Sequence, residues 1–191
     1  MAVTHWMMTN VPGCEVFHCN TGIGIERTRE FVRETCAAMG WPLHEVRAKE
    51  DCGQDYDELV MKHGFPGPDS HSMMYSQLKE RPIRKLVKAA QRKRGDRVLL
   101  ATGIRHEESA RRMRYAGKEV NRVGSQLWVS PIYWWSATER DAYNKAHGLP
   151  VNPVSAMLGM SGECLCGAYA HKGEKSLVKL VCPETHARIE A

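Results

Sequence analysis

Residues 14–39 read CEVFHCNTGIGIERTREFVRETCAAM, and their pattern changes once, in the middle. Cys14–Cys19 is a short apolar run of strand character. Asn20-Thr21-Gly22-Ile23-Gly24 is a cluster of turn formers. From Ile25 to Met39 the apolar residues Ile25, Phe31, Val32, Cys36 and Met39 recur at helical spacing and share one face. Gly40 stops the helix and Pro42 stands just beyond it. Strand, glycine loop, helix is the opening of a β–α–β unit, and Leu43–Arg47 supplies the second strand.

The same alternation extends outward. Ala2–Thr9 reads as a helix closed by Asn10-Val11-Pro12-Gly13, and Tyr56–His63 as a short helix before the loop GFPGPDS. Ser72–Arg94 reads as a long helix, interrupted at Pro82, whose ring breaks or kinks a helix. Arg97–Ala101 is a buried strand running into Thr102-Gly103, and Val120–Val129 holds one or two weak strands. Ser136, followed three residues later by Glu139, forms a capping box for a helix ending near Gly148. A Pro- and Gly-rich stretch, the cysteine cluster GECLCG and a short C-terminal helix follow. Strands alternating with helices predict an α/β fold: a doubly wound, mostly parallel sheet with helices on both faces. In such sheets ligands bind at the carboxyl ends of the strands. Two strands here end in Thr-Gly, at Thr21-Gly22 and Thr102-Gly103, where glycine admits a ligand close to the backbone.

Composition narrows the class. The chain has 191 residues, 42% hydrophobic and 26% charged, as a soluble globular domain has. No apolar run approaches the ~18 residues of a membrane span, and MAVTHWMMTN lacks the pattern of a signal peptide. Seven cysteines at irregular spacing then suit a reduced, cytoplasmic protein. The net charge of +5 is concentrated in the middle third, from Lys79-Glu-Arg-Pro-Ile-Arg onward through Arg97, Arg105, Arg111, Arg112, Arg114, Lys118 and Arg122. Such a block suits an anionic partner, whether nucleotide, sulfate or phosphate groups, or nucleic acid, and equally suits a solvated helix face. Cys164-Leu-Cys166 sits among glycines. With Cys182, and with His171 or Cys52 as a fourth ligand, it reads as a site for a 4Fe–4S cluster or zinc. The alternatives are a redox pair with Cys164 as nucleophile and reduced structural cysteines. Cys14, Cys19 and Cys36 read as small core residues.

Four segments, in order, make the reading specific. Asn20–Thr28 (NTGIGIERT) resembles the Asp-Thr-Gly…Glu-Thr segment of phosphoadenosine-phosphosulfate (PAPS) reductases. Gln77–Pro82 is similar to their Arg-Lys-x-x-Pro stretch. Ala101–Arg112 (ATGIRHEESARR) matches Thr-Gly-[hydrophobic]-Arg-Arg-x-x-Ser-x-x-Arg at Thr102, Gly103, Arg105, Ser109 and Arg112. Val129–Val154 matches at Pro131, Trp135, Asn152 and Pro153. The resemblance implies the adenine-nucleotide α-hydrolase-like fold, here over residues 1–155, with 156–191 as a cysteine-containing extension. It implies an adenine nucleotide, PAPS or ATP, as substrate, held by Asn20, Thr21, Gly22, Lys79, Arg81, Thr102, Gly103, Arg105 and Arg112, since guanidinium forks match sulfate and phosphate oxygens.

The departures are equally concrete. Arg27 stands where the family has the Glu of Glu-Thr, and His106 replaces its second Arg. The family's first strand and Ser-Gly-Gly-Lys-Asp-Ser-like loop have no counterpart, and Met1–Met8 resembles the helix that follows them. The C-terminal Glu-Cys-Gly-Ile-His is absent from HARIEA, and Met73-Met74-Tyr75 replaces the Cys-Cys pair of the cluster-bearing members. Sulfur chemistry would therefore fall to Cys164 and Cys166, or to a thioredoxin-like electron donor. Three function classes follow: reductive sulfur chemistry on a nucleotide, sulfur transfer or nucleotide activation on DNA or tRNA, and a non-catalytic partner of the family. A homodimer is a further expected partner, and a membrane is not.

Overall fold

The computed structural model describes residues 1–53, 56–108, 118–160, 162–163, 165 and 172–190. They divide into two compact units, Met1–Glu15 with Leu86–Pro150, and Val16–Lys85 with Val151–Ala191. Residue 155, the boundary expected from sequence, falls inside the second unit.

The second unit is built on the β–α–β motif. Strand β1 (Val16–Asn20) leads into helix α2 (Glu26–Ala38), which returns to β2 (Leu43–Arg47), parallel to β1 and in register from Val16↔Leu43 to Asn20↔Arg47. The carboxyl ends of both strands therefore lie side by side, and each runs into helix or loop at that edge. The short helix α3 (Ala48–Cys52) begins directly at the end of β2, and α4 (Tyr56–His63) follows. Ile23, Ile25, Ala48, Tyr56, Met74, Leu78, Val154 and Val178 form one buried core. Val154 comes from α8 (Pro153–Leu158), and Val178 from α9 (Glu174–Val181), which precedes α10 (Pro183–Glu190).

The helix expected over Ser72–Arg94 is solved locally rather than broken. α5 (His71–Tyr75) passes through one π turn (Ser76–Glu80) into α6 (Arg81–Ala90). Pro82 has no N–H to give the carbonyl of Leu78, four residues earlier. That carbonyl instead accepts the Cys19 thiol at 3.1 Å. The extra residue of the π turn makes room for the ring, and Pro82 itself is fully buried. Cys19, expected as a core residue, is half-buried and acts as a hydrogen-bond donor.

The first unit holds α1 (Ala2–Asn10), β3 (Val98–Ala101), β4 (Val120–Val123), β5 (Gln126–Val129) and α7 (Ala137–Ala146). β5 lies between the other two strands, parallel to β3 and antiparallel to β4. The β4–β5 hairpin turns at Gly124, whose φ of +59° a side chain would strain. The expected capping box of α7 is present: the Glu139 amide donates to the Ser136 hydroxyl at 3.2 Å, and the Ser136 amide donates to the Glu139 carboxylate at 2.7 Å. His5 on α1 hydrogen-bonds the Tyr143 hydroxyl of α7 at 2.8 Å. The parallel β1–β2 pair joined through α2 and the parallel β3–β5 pair make the chain α/β, as expected. No helix among the described residues is long and apolar enough to cross a membrane.

Candidate functional site

A cleft of about 510 Å³ opens at the carboxyl ends of β1 and β2, within the ~300–1,000 Å³ of small-molecule sites. Its floor is Asn20-Thr21-Gly22, and its walls carry Arg29 and Arg33 of α2, Arg47 at the end of β2, Lys49 of α3, Asp57 of α4 and Arg188 of α10. All of these belong to the second unit.

The floor is held by its own side chains. Gly22, at φ +83°, donates its amide to Asn20 Oδ1 at 3.0 Å, while Asn20 Nδ2 donates to Glu45 at 2.9 Å. Asn20 is therefore spent at both ends on shaping the loop. Thr21 is buried and gives its hydroxyl proton to the Glu163 carbonyl at 3.2 Å. Ile25 N–H donates to the Gly162 carbonyl at 2.8 Å. Gly24 faces this segment so closely that a Cβ would sit 2.4 Å from the Glu163 oxygen. His18 Nε2 stands 3.2 Å from the Glu163 carboxylate, within ion-pair distance but not aligned as a hydrogen bond.

The walls form a charge relay of fixed geometry. Arg33 makes two 2.7 Å bonds to the two oxygens of Glu45, and its Nη1 reaches Glu26 at 2.7 Å. Arg29 Nη1 reaches the other oxygen of Glu26 at 2.9 Å. Burial opposes ionisation of Glu26, but bonds from Arg33 and Arg29 outweigh it and hold the carboxyl below its ordinary range. Arg188 holds Asp57 with bonds of 3.0 and 3.1 Å and also donates to the Gly22 carbonyl.

Glu45 titrates at about 2 instead of 4.5, chiefly through the Arg33 hydrogen bonds. A carboxylate with a depressed folded pKa stabilises fully above its unfolded pKa, and that stability is lost as pH falls through the folded value. Glu45 therefore contributes in full above pH 4.5 and progressively less down to pH 2. Chemical denaturation across that window should show a steeper acid loss for wild type than for Glu45→Gln. Parallel pH profiles for the two proteins would show that the pair stores no stability.

The residues expected from sequence distribute unevenly. Asn20, Thr21 and Gly22 lie in the cleft; Lys79 and Arg81 do not line it. Lys79 lies in the π turn near the Cys19 thiol, and exposed Arg81 reaches Gln77 at 3.4 Å. Thr102, Gly103 and Arg105 gather in the first unit beyond β3. Thr102 bonds Ser130 at 3.0 Å, Gly103 packs on Val3, and buried Arg105 donates to the Trp135 carbonyl at 3.4 Å. Arg112, Ser109, Cys164, Cys166 and His171 lie outside the described residues. Cys182 caps α9 and packs against the core. Among the described residues no three His, Cys, Asp or Glu side chains come together as a metal set. Arg29, Arg33, Arg47 and Lys49 were not anticipated. The signal for Arg29 and Arg33 was their spacing with Glu26 along one helix face directly after a strand-end loop; Arg47 and Lys49 had none.

A parallel β–α–β unit with a cation-walled cleft at its strand ends has the geometry at which open α/β sheets place their ligands. The family model "Phosphoadenosine phosphosulfate reductase domain" matches residues 1–156, and the chain belongs to that family. Among solved structures it is similar to phosphoadenylyl-sulfate (PAPS) reductase from Candida auris, described as a phosphate complex, at 17% identity and a TM-score of 0.52, covering 81% of this chain and 82% of that one. No curated protein matches.

Proposed function

We propose that this chain binds a PAPS-type sulfonucleotide in the cleft at the ends of β1 and β2 and serves reduction of its sulfo group. The observation that carries this reading is the cation-rich wall of Arg29, Arg33, Arg47 and Lys49 beside the Asn20–Gly22 floor, in a chain of the PAPS reductase family. Guanidinium groups fixed on helix and strand ends grip phosphate and sulfate oxygens and stabilise the charge that gathers on them during sulfur transfer. The chemistry calls for a thiolate that attacks the sulfo sulfur. A new S–S bond forms, the S–O bond to the nucleotide breaks, and adenosine 3′,5′-bisphosphate leaves. A second thiol then attacks the sulfur of the first, releasing sulfite and leaving a disulfide, so the two thiols supply both electrons. Burial raises the thiol pKa of Cys14, Cys19, Cys36 and Cys182, with Cys19 at about 11, which makes them poor nucleophiles. In this reading the nucleophile is Cys164 or Cys166, or the thiol of a thioredoxin-like donor.

Isothermal titration with adenosine 3′,5′-bisphosphate tests the binding step. One-to-one binding, competed by inorganic sulfate, is expected; no heat at millimolar ligand would sink the reading. A second reading, sulfur transfer on nucleic acid, is favoured by exposed Arg84 and Lys88 of α6 and the exposed Arg92–Arg94 that follow. It predicts DNA or RNA binding that weakens steeply with salt.

A further inference from the structure

Arg29 is almost wholly enclosed, with its side chain 8% exposed. Among the described residues only its Nη1 has an acceptor, Glu26. Its Nε and Nη2 are buried and have none among those residues. These two nitrogens form the side of the guanidinium where two N–H bonds run parallel, the edge that fits two oxygens of one phosphate or sulfate group. The other arginines of the cleft are engaged differently. Arg33 spends this same edge on Glu45, and Arg188 spends its donors on Asp57 and Gly22. Arg47 lies 3.8 Å from both Glu45 and Glu50.

A desolvated guanidinium edge facing no acceptor is costly, and the chain nevertheless builds one with care. Glu26 fixes Nη1, Arg33 fixes Glu26, Glu45 fixes Arg33, and Asn20 fixes Glu45. The relay runs from the floor of the cleft to Arg29 and orients the empty edge. Because that edge is shielded from bulk water, a charge meeting it is little screened.

We propose that Arg29 is the oxyanion receptor of the cleft, taking one phosphate or sulfo group of the nucleotide on its Nε/Nη2 edge. This deepens the sulfonucleotide reading and rests on it. Arg29 stands one residue beyond the Asn20–Thr28 segment that carries the family resemblance, and no matched motif contains it.

The test is calorimetry on the full chain, wild type, Arg29→Lys and Arg29→Gln, with adenosine 3′,5′-bisphosphate, adenosine, inorganic sulfate and inorganic phosphate, and thermal melting alongside. The bisphosphate should bind about 10- to 100-fold more weakly to Arg29→Gln. Arg29→Lys should lose nearly as much, because an ammonium cannot make the two parallel bonds. Adenosine, which lacks the oxyanion, should bind all three proteins alike, an equality that general damage to the fold would destroy. The two inorganic ions decide whether the edge prefers sulfate or phosphate. Unchanged bisphosphate affinity in Arg29→Gln or Arg29→Lys overturns the assignment and leaves the sulfonucleotide reading standing. If wild type binds no nucleotide, that reading fails instead, and Arg29 is judged by the inorganic ions. Their binding to wild type and loss in Arg29→Lys supports the receptor; no binding to wild type ends it.

Discussion

Replacing Gly24 with alanine is expected to destabilise the protein by about 1–3 kcal/mol, the range for forcing a methyl group into a closed site. The added Cβ would lie 2.4 Å from the Glu163 carbonyl oxygen, 2.8 Å from its carbon and 3.0 Å from its Cα. All three are backbone atoms, so no side chain can swing aside. Glu163 cannot retreat freely either. The Thr21 hydroxyl holds its carbonyl, Ile25 N–H holds the carbonyl of Gly162, and Leu165 is buried in the core. Relief must come from parting the loop after β1 from residues 162–163, which also deforms the floor of the cleft. At about 2–4 °C per kcal/mol for a chain of this size, the melting temperature should fall by roughly 2–12 °C. Nucleotide affinity should fall with it. A variant that melts with wild type would mean that the contact is not held in solution.

Leu78→Ala should cost about 2–5 kcal/mol, the range for emptying a buried leucine site. Leu78 is 2% exposed and packs in the core shared by Met74, Tyr56 and Val154. It also occupies the π turn that accommodates Pro82, and its carbonyl receives the Cys19 thiol. Collapse of the cavity is resisted from both sides, because the turn is pinned to β1 through that thiol. Urea denaturation gives the measurement. A loss below about 1 kcal/mol would place Leu78 outside the rigid core.

The fold was legible wherever local chemistry decides it. β2 is delimited by Pro42 and by the change to helix formers after Arg47, and the strand spans the expected residues. The capping box at Ser136 and Glu139 needs only its own four residues, and it forms. The π turn was not legible, because Pro82 signals a break in the hydrogen-bond ladder without saying how it is absorbed. The answer lies in the Cys19 thiol, 59 positions before Leu78 in the chain. α3 and α8 were missed for a related reason: five or six residues carry little periodicity, and Ala48 and Val154 are fixed by burial in the core rather than by pattern.

The site was legible at its floor and not at its walls. Asn20-Thr21-Gly22 announces a strand-end loop by turn chemistry alone. Reading it as a set of binding groups overlooked that Asn20 and Thr21 spend their side chains on Gly22, Glu45 and Glu163. The wall depends on the pairing of Asn20 with Arg47 across β1 and β2 and on the reach of Arg33 from α2 to Glu45. Both are tertiary facts. Lys79 and Arg81 show the converse: a dense basic stretch draws attention in sequence, while these two side chains stay out of the cleft.

The central claim is that the ligand sits at the carboxyl ends of β1 and β2. Backbone amide shifts of the isotope-labelled chain, followed by NMR as adenosine 3′,5′-bisphosphate is added, test it most directly. The account predicts saturable shifts at Gly22, Arg29, Arg47 and Lys49. Shifts confined to α6 and the basic residues Arg92–Arg94, with the cleft amides unmoved, would contradict it.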